Sequence, residues 1–226
     1  MNIFRFFGDM SHLSSILVLL LKLRASKSAA GVSLKTQELF FVVFVSRYVD
    51  LFFRFHSWYN SVMKVLYLSL TGLIIYMIRE QKPIKSTYDK SQDSFLHWKF
   101  AVAPCVIVGF IIHTWDSWGT QNVFLSPVNY LWIFSQVLEP FTIVPQLMVL
   151  QRYREVENLT GHYVFLLGAY RSLYLLNWVW RAYNENGYRH HVLLYFAGLV
   201  QTLLYADFFY YYAISKYYGG RMSLPA

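Results

Sequence analysis

The chain has 226 residues, of which 56% are hydrophobic and only 14% charged; an average soluble domain carries about 25% charged residues, so water is not its main solvent. Its formal charge of +8 sits between apolar runs rather than along one soluble face, which favours membrane topology over nucleic-acid binding. The single cysteine, Cys105, excludes an internal disulfide framework and any cysteine-based zinc site.

A hydrocarbon core about 30 Å thick takes about 20 apolar residues per helix, so the length accommodates about seven spans and no second domain. The apolar runs cover 4–23, 37–53, 62–78, 100–114, 128–150, 163–180 and 192–214. They predict an all-α membrane protein in which residues 1–226 form one seven-helix transmembrane domain, with a short cytoplasmic tail over 215–226. Lys22, Arg24, Lys27 and Lys35 follow the first run, and Arg79, Lys82, Lys85, Lys90 and Lys99 the third. Arg152 and Arg154 follow the fifth, Lys216 and Arg221 the seventh. Seven spans put all of these on one side, cytoplasmic by the positive-inside rule, with the N-terminus lumenal or extracellular. The opposite loops hold chiefly Arg54 and Arg189. Arg5, Asp9 and His12 inside the first run, with no small-residue cleavage site after it, predict a retained helix rather than a signal peptide. The polar stretch from Arg79 to Lys99 reads as the joint between three early and four late spans, a layout of two three-helix repeats plus a linking helix. Pro145-Gln146 hints at the same architecture.

Asn2, Arg5, Asp9 and His12 are spaced to share one helical face, and Arg47, Asp50 and Arg54 repeat the pattern. Trp132, Gln136 and Glu139 align in the fifth run. Arg171, Tyr174, Trp178 and Arg181 form a stripe in the sixth, with Tyr170 and Asn177 beside it. A charge within the bilayer costs about 2.5–3.5 kcal/mol on insertion scales, so the four stripes are expected to face one polar interior. A purely structural reading has ion pairs fixing helix register while Arg54 and Arg181 snorkel to the interface. Yet Arg5, Arg47, Lys64, Arg171 and Arg181 outnumber Asp9, Asp50, Glu139 and Asp207. That surplus points to an anionic ligand whose carboxylates the guanidinium forks bind bidentately. His12 reads as a satisfied core histidine or as a switch. His190-His191 reads as an interfacial loop pair, without carboxylate or cysteine at ligand spacing, and Phe208 to Tyr212 as interfacial packing. No zinc-protease helix, phosphate loop or nucleophile elbow occurs, so neither enzymatic activity nor a metal or cofactor is expected.

Asn2-Ile3-Phe4-Arg5 with Gly8-Asp9 and His12, then Arg47-Tyr48 with Asp50-Leu51-Phe52, open a series that continues in order. Tyr59-Asn60, Met63-Lys64, Leu138-Glu139, Pro145-Gln146-Leu147, His162-Tyr163, Tyr170-Arg171 and Leu173-Tyr174-Leu175 follow. Asn177-Trp178, Trp180-Arg181, Gln201-Thr202, Leu204-Tyr205, Asp207-Phe208-Phe209-Tyr210 and Leu224-Pro225-Ala226 complete it. Together these resemble the KDEL receptor family nearly end to end, least from about Glu80 to Ser126.

The resemblance implies a fold like that of SWEET and PQ-loop transporters. It implies a lumenal cavity for the C-terminal KDEL- or HDEL-type tetrapeptide of soluble endoplasmic-reticulum residents, a receptor-read address. Asp, Glu and the terminal carboxylate of such a peptide are three anions in a row, which fits the arginine surplus, and capture of a C-terminal carboxylate is a known recognition mode. The implied peptide-binding set is Arg5, Arg47, Tyr48, Asp50, Lys64, Trp132, Arg171, Tyr174, Trp178 and Arg181. Arg5, Arg47 and Arg181 hold carboxylates in it, and Asp50 and Trp132 handle the first signal residue. The resemblance also implies pH control by His12 with Glu139, Tyr170 and Arg171. It implies sorting through Glu155, Glu157, Asp207 and Lys216, with the COPI coat as cytoplasmic partner and lipid around a multi-pass protein of the endoplasmic reticulum, intermediate compartment and cis-Golgi.

Three departures stand out. Asn129 occupies a place where vertebrate receptors look to have an acid near the first signal residue, Arg54 replaces a small polar residue, and the tail holds only Lys216 and Arg221 as cations. The preferred first residue and the strength of the coat signal are thereby left open. A sugar-like transporter of the same fold and an ion channel are the competing functions. A transporter would keep few unpaired arginines in its cavity; a channel needs a polar path to the cytoplasm, whereas Leu17 to Leu21 and Leu66 to Ile75 are apolar. For the histidine switch, a side chain of pKa about 6.5 falls from about three quarters charged at pH about 6 to about one sixth at about 7.2. Binding that needs that charge weakens about four- to fivefold over the interval.

Overall fold

The computed structural model of the protein describes residues 2–53, 55–118, 126–186, 192–219 and 222–224. Arg54, Arg189, His190, His191, Arg221, Pro225 and Ala226 lie outside the described residues.

Each of the seven apolar runs is helical. Helix α1 (Ile3–Ser26) starts where the Asn2 side chain accepts the Arg5 amide and stops at Lys27, in the left-handed conformation. Helix α2 (Leu34–Arg47) starts at Ser33, whose hydroxyl accepts the Thr36 amide. It ends sooner than its apolar run, because the chain tightens into a 3-10 turn over Val49–Phe52, a common way of pairing the last carbonyls of a helix. The expected continuous α-helical stripe from Arg47 to Asp50 is therefore corrected: the turn, not α2, carries Asp50. Helix α3 (Trp58–Arg79) follows, then a π-helical turn (Trp98–Val102) leading into α4 (Ala103–Trp118). The fifth run divides into α5 (Pro127–Leu138), a 3-10 segment (Glu139–Ile143) and α6 (Val144–Tyr153). Pro140 and Pro145 each lack the amide that a regular α-helix needs there. Helix α7 (Asn158–Asn184) is the longest, and α8 (Val192–Leu204) meets α9 (Ala206–Tyr217) at a 42° bend. The Thr202 hydroxyl donates to the Gly198 carbonyl at 2.8 Å, a back-bond that bends helices.

By length and apolarity four segments, Ile3–Ser26, Trp58–Arg79, Trp98–Trp115 and Pro127–Tyr153, are suited to cross a membrane, and the α8–α9 pair makes a fifth. Helix α2 has only 14 residues, and α7 dilutes its apolar run with Arg171, Asn177 and several tyrosines. The chain is thus a helical membrane protein with four to five strongly apolar spans. Helix α1 packs chiefly along α7, while α2 sits against α3 and α5. Leu19, Leu39, Val43, Val164 and Leu167 fill the core between them.

Side chains from distant segments fasten one end of the bundle. Lys22, fully buried, donates to the carbonyls of Ser28 and Ala30 at 2.8 Å each and lies 3.5 Å from Glu157. Gln146 donates to the Gly31 carbonyl at 2.7 Å and accepts the Ser33 amide at 2.9 Å. Asp93 accepts the Ser33 hydroxyl at 2.9 Å and the Tyr88 phenol at 2.7 Å. Burial, with the Asp93 carboxylate beside it, raises the Tyr88 phenol far above its ordinary range, so it remains the donor. Buried polar groups need such partners. The loops after α1, α3 and α6 therefore meet at one end, bringing most of the cation clusters of the sequence together. There β1 (Glu155–Val156) pairs antiparallel with β2 (Met222–Ser223) of the tail.

Candidate functional site: an arginine-lined cavity

At the opposite end, where α1 begins and α2 and α7 finish, a cavity of about 250 Å³ opens. The α1 stripe supplies its floor. Asn2 donates to the Asn177 side chain at 2.7 Å, and Arg5 donates to Asn60 at 2.9 Å with its Nε 4.0 Å from Asp9. Asp9 is buried and accepts the phenols of Tyr59, at 2.8 Å, and Tyr174. Phenols thus take up much of the Asp9 carboxylate, and the Arg5 side chain keeps 40% exposure.

Glu139, only 2% exposed, is the hub. It accepts Arg47 at 2.8 Å, Arg171 at 3.0 Å and the Tyr170 phenol at 2.9 Å. Arg47 also donates to the Ser135 hydroxyl and carbonyl at 3.1 and 3.2 Å. Arg171 is buried, its Nε and Nη2 have no hydrogen-bond partner, and its guanidinium lies 5.3 Å over the Trp178 ring. One buried carboxylate faces two guanidiniums, so the cluster keeps a positive charge that an anion would offset. His12 stacks on Tyr170 with ring centres 4.1 Å apart and planes 6° apart, among Phe40, Phe44 and Tyr67. Its Nε2 is buried without a partner. A single ring, Tyr170, separates His12 from Glu139.

Lys64 pairs with both Asp50 oxygens, at 2.8 and 2.7 Å. Tyr48, Trp132, Tyr174 and Trp178 complete the wall. A Cβ on Gly198 would come 2.7 Å from the Trp178 ring, so only glycine leaves room for that indole. Along the cavity Arg5, Arg47, Lys64 and Arg171 face just two described carboxylates, Asp9 and Glu139. Of the register-fixing ion pairs of the structural reading, which joins Arg5 or Arg47 to Asp9, Asp50 or Glu139, Arg47–Glu139 is present at 2.8 Å and Arg5–Asp9 at 4.0 Å, whereas Asp50 pairs with Lys64 instead, and a cation surplus remains.

Two predicted binding residues do not line this cavity. Asp50 lines an adjoining one with His56 and Asn129. Arg181 has its Nε 2.7 Å from Glu185, one turn further along α7. The sorting candidates lie apart from the cavity: Glu155 in β1, Glu157 beside Lys22, and Lys216 donating to Asn158 at 3.1 Å. Asp207 is exposed in the first turn of α9. Sequence reasoning gave no role to Tyr59, Asn60, Tyr67 and Ser135. The first three share one face of α3 with Met63 and Lys64, a stripe legible by the same spacing rule. Among the described residues no group of three or more His, Cys, Asp or Glu is arranged to hold a metal ion.

A helical membrane protein whose cavity holds more cations than carboxylates is the class that this fold and site define. Residues 28–181 match the family model described as ER lumen protein retaining receptor. Over 226 residues the chain is 49% identical to ER lumen protein-retaining receptor B of Arabidopsis thaliana and 50% identical to the ER lumen protein-retaining receptor of Petunia hybrida, covering all of each. It is 44% identical over 225 residues to the Plasmodium falciparum receptor of the same description, covering 98% of it. The chain belongs to the ER lumen protein-retaining receptor family.

Proposed function

We propose that the chain captures, in this cavity, the C-terminal KDEL- or HDEL-type tetrapeptide of soluble endoplasmic-reticulum proteins that have escaped to the Golgi, and returns them by retrograde transport. The carrying observation is the excess of arginine and lysine over carboxylates around one open cavity. Arg5 and Arg47 take peptide carboxylates, with Arg171 supporting Arg47 through Glu139, and Arg181 exchanges Glu185 for a peptide carboxylate at the rim. Tyr48, Tyr174 and Trp178 form the walls, and Asp50, Lys64 and Trp132 meet the first signal residue. In this reading all seven helical runs cross the bilayer as one domain, in the repeat arrangement of SWEET and PQ-loop proteins with α4 as linking helix. The N-terminus is lumenal and the cation-rich end cytoplasmic. The surplus that supports a peptide ligand argues equally against a sugar-like transporter.

Binding of a labelled peptide ending in Lys-Asp-Glu-Leu to purified protein, against its C-terminal amide, tests the reading. The amide should bind at least tenfold more weakly; equal binding would remove the terminal carboxylate from the recognition and overturn it. Binding should be tighter at pH about 6 than at about 7.2, because an anionic peptide and a proton on His12 favour each other by linkage. A single linked proton limits the change to about tenfold per pH unit, and a steeper slope requires a second group. His12→Ala should bind weakly at every pH. Retention of both affinity and slope in that variant would assign the switch elsewhere.

Glu155, Glu157, Asp207 and Lys216 serve sorting on the cytoplasmic side, where the COPI coat acts. Glu155→Ala/Glu157→Ala should cease to cycle between Golgi and endoplasmic reticulum. Microscopy showing the variant distributed like the parent would withdraw those acids from sorting. Glu155→Ala alone, which leaves the Lys22–Glu157 contact in place, separates sorting from a structural effect.

A further inference from the structure

The cation-rich end of the bundle holds a cavity of its own, about 640 Å³ in volume, set between the start of α2, the end of α3 and the connector that follows. That size is ordinary for a small-ligand site. Lys35, Arg79, Lys85 and Lys90 line it, against Glu38, Glu80 and Asp93. The acids are already engaged. Glu38 holds Arg79 at 2.6 Å and stands 2.9 Å from His97 Nε2, and Glu80 meets Lys85 at 3.1 Å. Asp93, buried, accepts the Ser33 hydroxyl, the Lys35 amide and the Tyr88 phenol. Among the described residues neither the Lys35 nor the Lys90 ammonium has an ion-pair partner. The walls are held in place, because Arg152 donates to the Gln92 carbonyl at 2.6 Å and the Ser94 hydroxyl at 2.7 Å and so ties the connector to α6. The depth of the cavity is also marked. Tyr76, one turn before Arg79 on the same face of α3, and Trp98, just after the connector, are both exposed, and Tyr and Trp gather where headgroups meet acyl chains.

We propose that this cavity binds the phosphate-bearing headgroup of a membrane lipid, with Lys35 and Lys90 as the groups that meet the phosphate. A phosphate monoester carries about 1.5 to 2 negative charges near neutral pH, which two free ammoniums offset. Basic pockets between helix ends are a recognised setting for such headgroups. The bilayer delivers this ligand at the depth of Tyr76 and Trp98, whereas a free phosphate gains nothing from an aromatic belt. Arg79 stays with Glu38, while the exposed Lys85–Glu80 pair is weak and yields to a stronger anion. The site requires only that this end meets a membrane surface; it does not depend on the peptide reading.

The test uses the full-length protein in phosphatidylcholine nanodiscs and a fluorescent short-chain phosphatidylinositol 4-phosphate, whose anisotropy is compared with that in empty discs. Binding should saturate. Unlabelled phosphatidylinositol 4-phosphate should displace the probe at least tenfold better than phosphatidylinositol, which lacks the monoester, or inorganic phosphate, which lacks the chains. Lys35→Gln/Lys90→Gln should weaken binding at least fivefold, and Lys90→Gln alone, on the exposed connector, at least twofold. Arg24→Gln/Lys99→Gln removes two exposed cations that do not line the cavity and should change binding less than twofold. Equal weakening by the two double substitutions would reduce the effect to general surface charge and overturn the site, as would binding that never saturates. Displacement by inorganic phosphate as effective as by the lipid would overturn the lipid as ligand.

Discussion

Arg47→Ala is expected to abolish detectable peptide binding while leaving a folded protein. Arg47 donates to Ser135 and Glu139 from the cavity wall, and truncating one partner of a desolvated charge pair costs about 2–5 kcal/mol, or about 30- to 4,000-fold in affinity. The fold survives because the deletion removes the surplus charge rather than creating one: Glu139 and Arg171 remain as a balanced pair at 3.0 Å. Arg47→Lys should also weaken binding, since one ammonium cannot span the positions of a planar fork. Titration of labelled peptide against each purified variant is the measurement. Parent-like affinity in a folded Arg47→Ala protein would take Arg47 out of the site.

Glu139→Gln is expected to do the opposite, damaging the protein more than any other single substitution in the cavity. It strips the shared carboxylate from two guanidiniums, and an uncompensated buried charge costs about 3–5 kcal/mol. The thermal unfolding midpoint of the detergent-solubilised protein should fall sharply. Glu139→Gln/Arg171→Met, which removes one charge of each sign, should recover part of the loss. A midpoint for Glu139→Gln equal to the parent would show that this cluster does not depend on its carboxylate. As a control, Asp207→Asn, exposed on α9, should change stability by no more than about 0.5 kcal/mol.

The polar interior was legible because charge is expensive inside an apolar run. Asn2, Arg5, Asp9 and His12 had one face to share, and that face meets α3 and α7. Which cation would hold which carboxylate was not legible, since spacing fixes a face within one helix and says nothing about the neighbour opposite. Thus Glu139 gathers Arg47 and Arg171, while Asp9 relies on tyrosines that composition alone assigns equally well to interfacial belts. The breaks in the second, fifth and seventh runs were harder still. A 3-10 turn or a bend leaves hydropathy unchanged, and only Pro140 and Pro145 marked one of them. Gln146 was visible as half of a dipeptide, but its role as the clasp of a loop more than a hundred residues earlier depends on contacts that no local pattern encodes.

That clasp has a consequence in time. Ser33 and Gly31 leave the ribosome 113 and 115 residues ahead of Gln146, which at about 5–20 residues per second is a wait of about 6 to 23 s. Throughout it the Gly31 carbonyl and the Lys22 ammonium lack their late-arriving partners Gln146 and Glu157. Nascent chains stalled before residue 146 should therefore keep this loop open to proteases and to chaperones that survey unfinished membrane proteins. Completion of α6 and the segment after it would act as the maturation step that closes it.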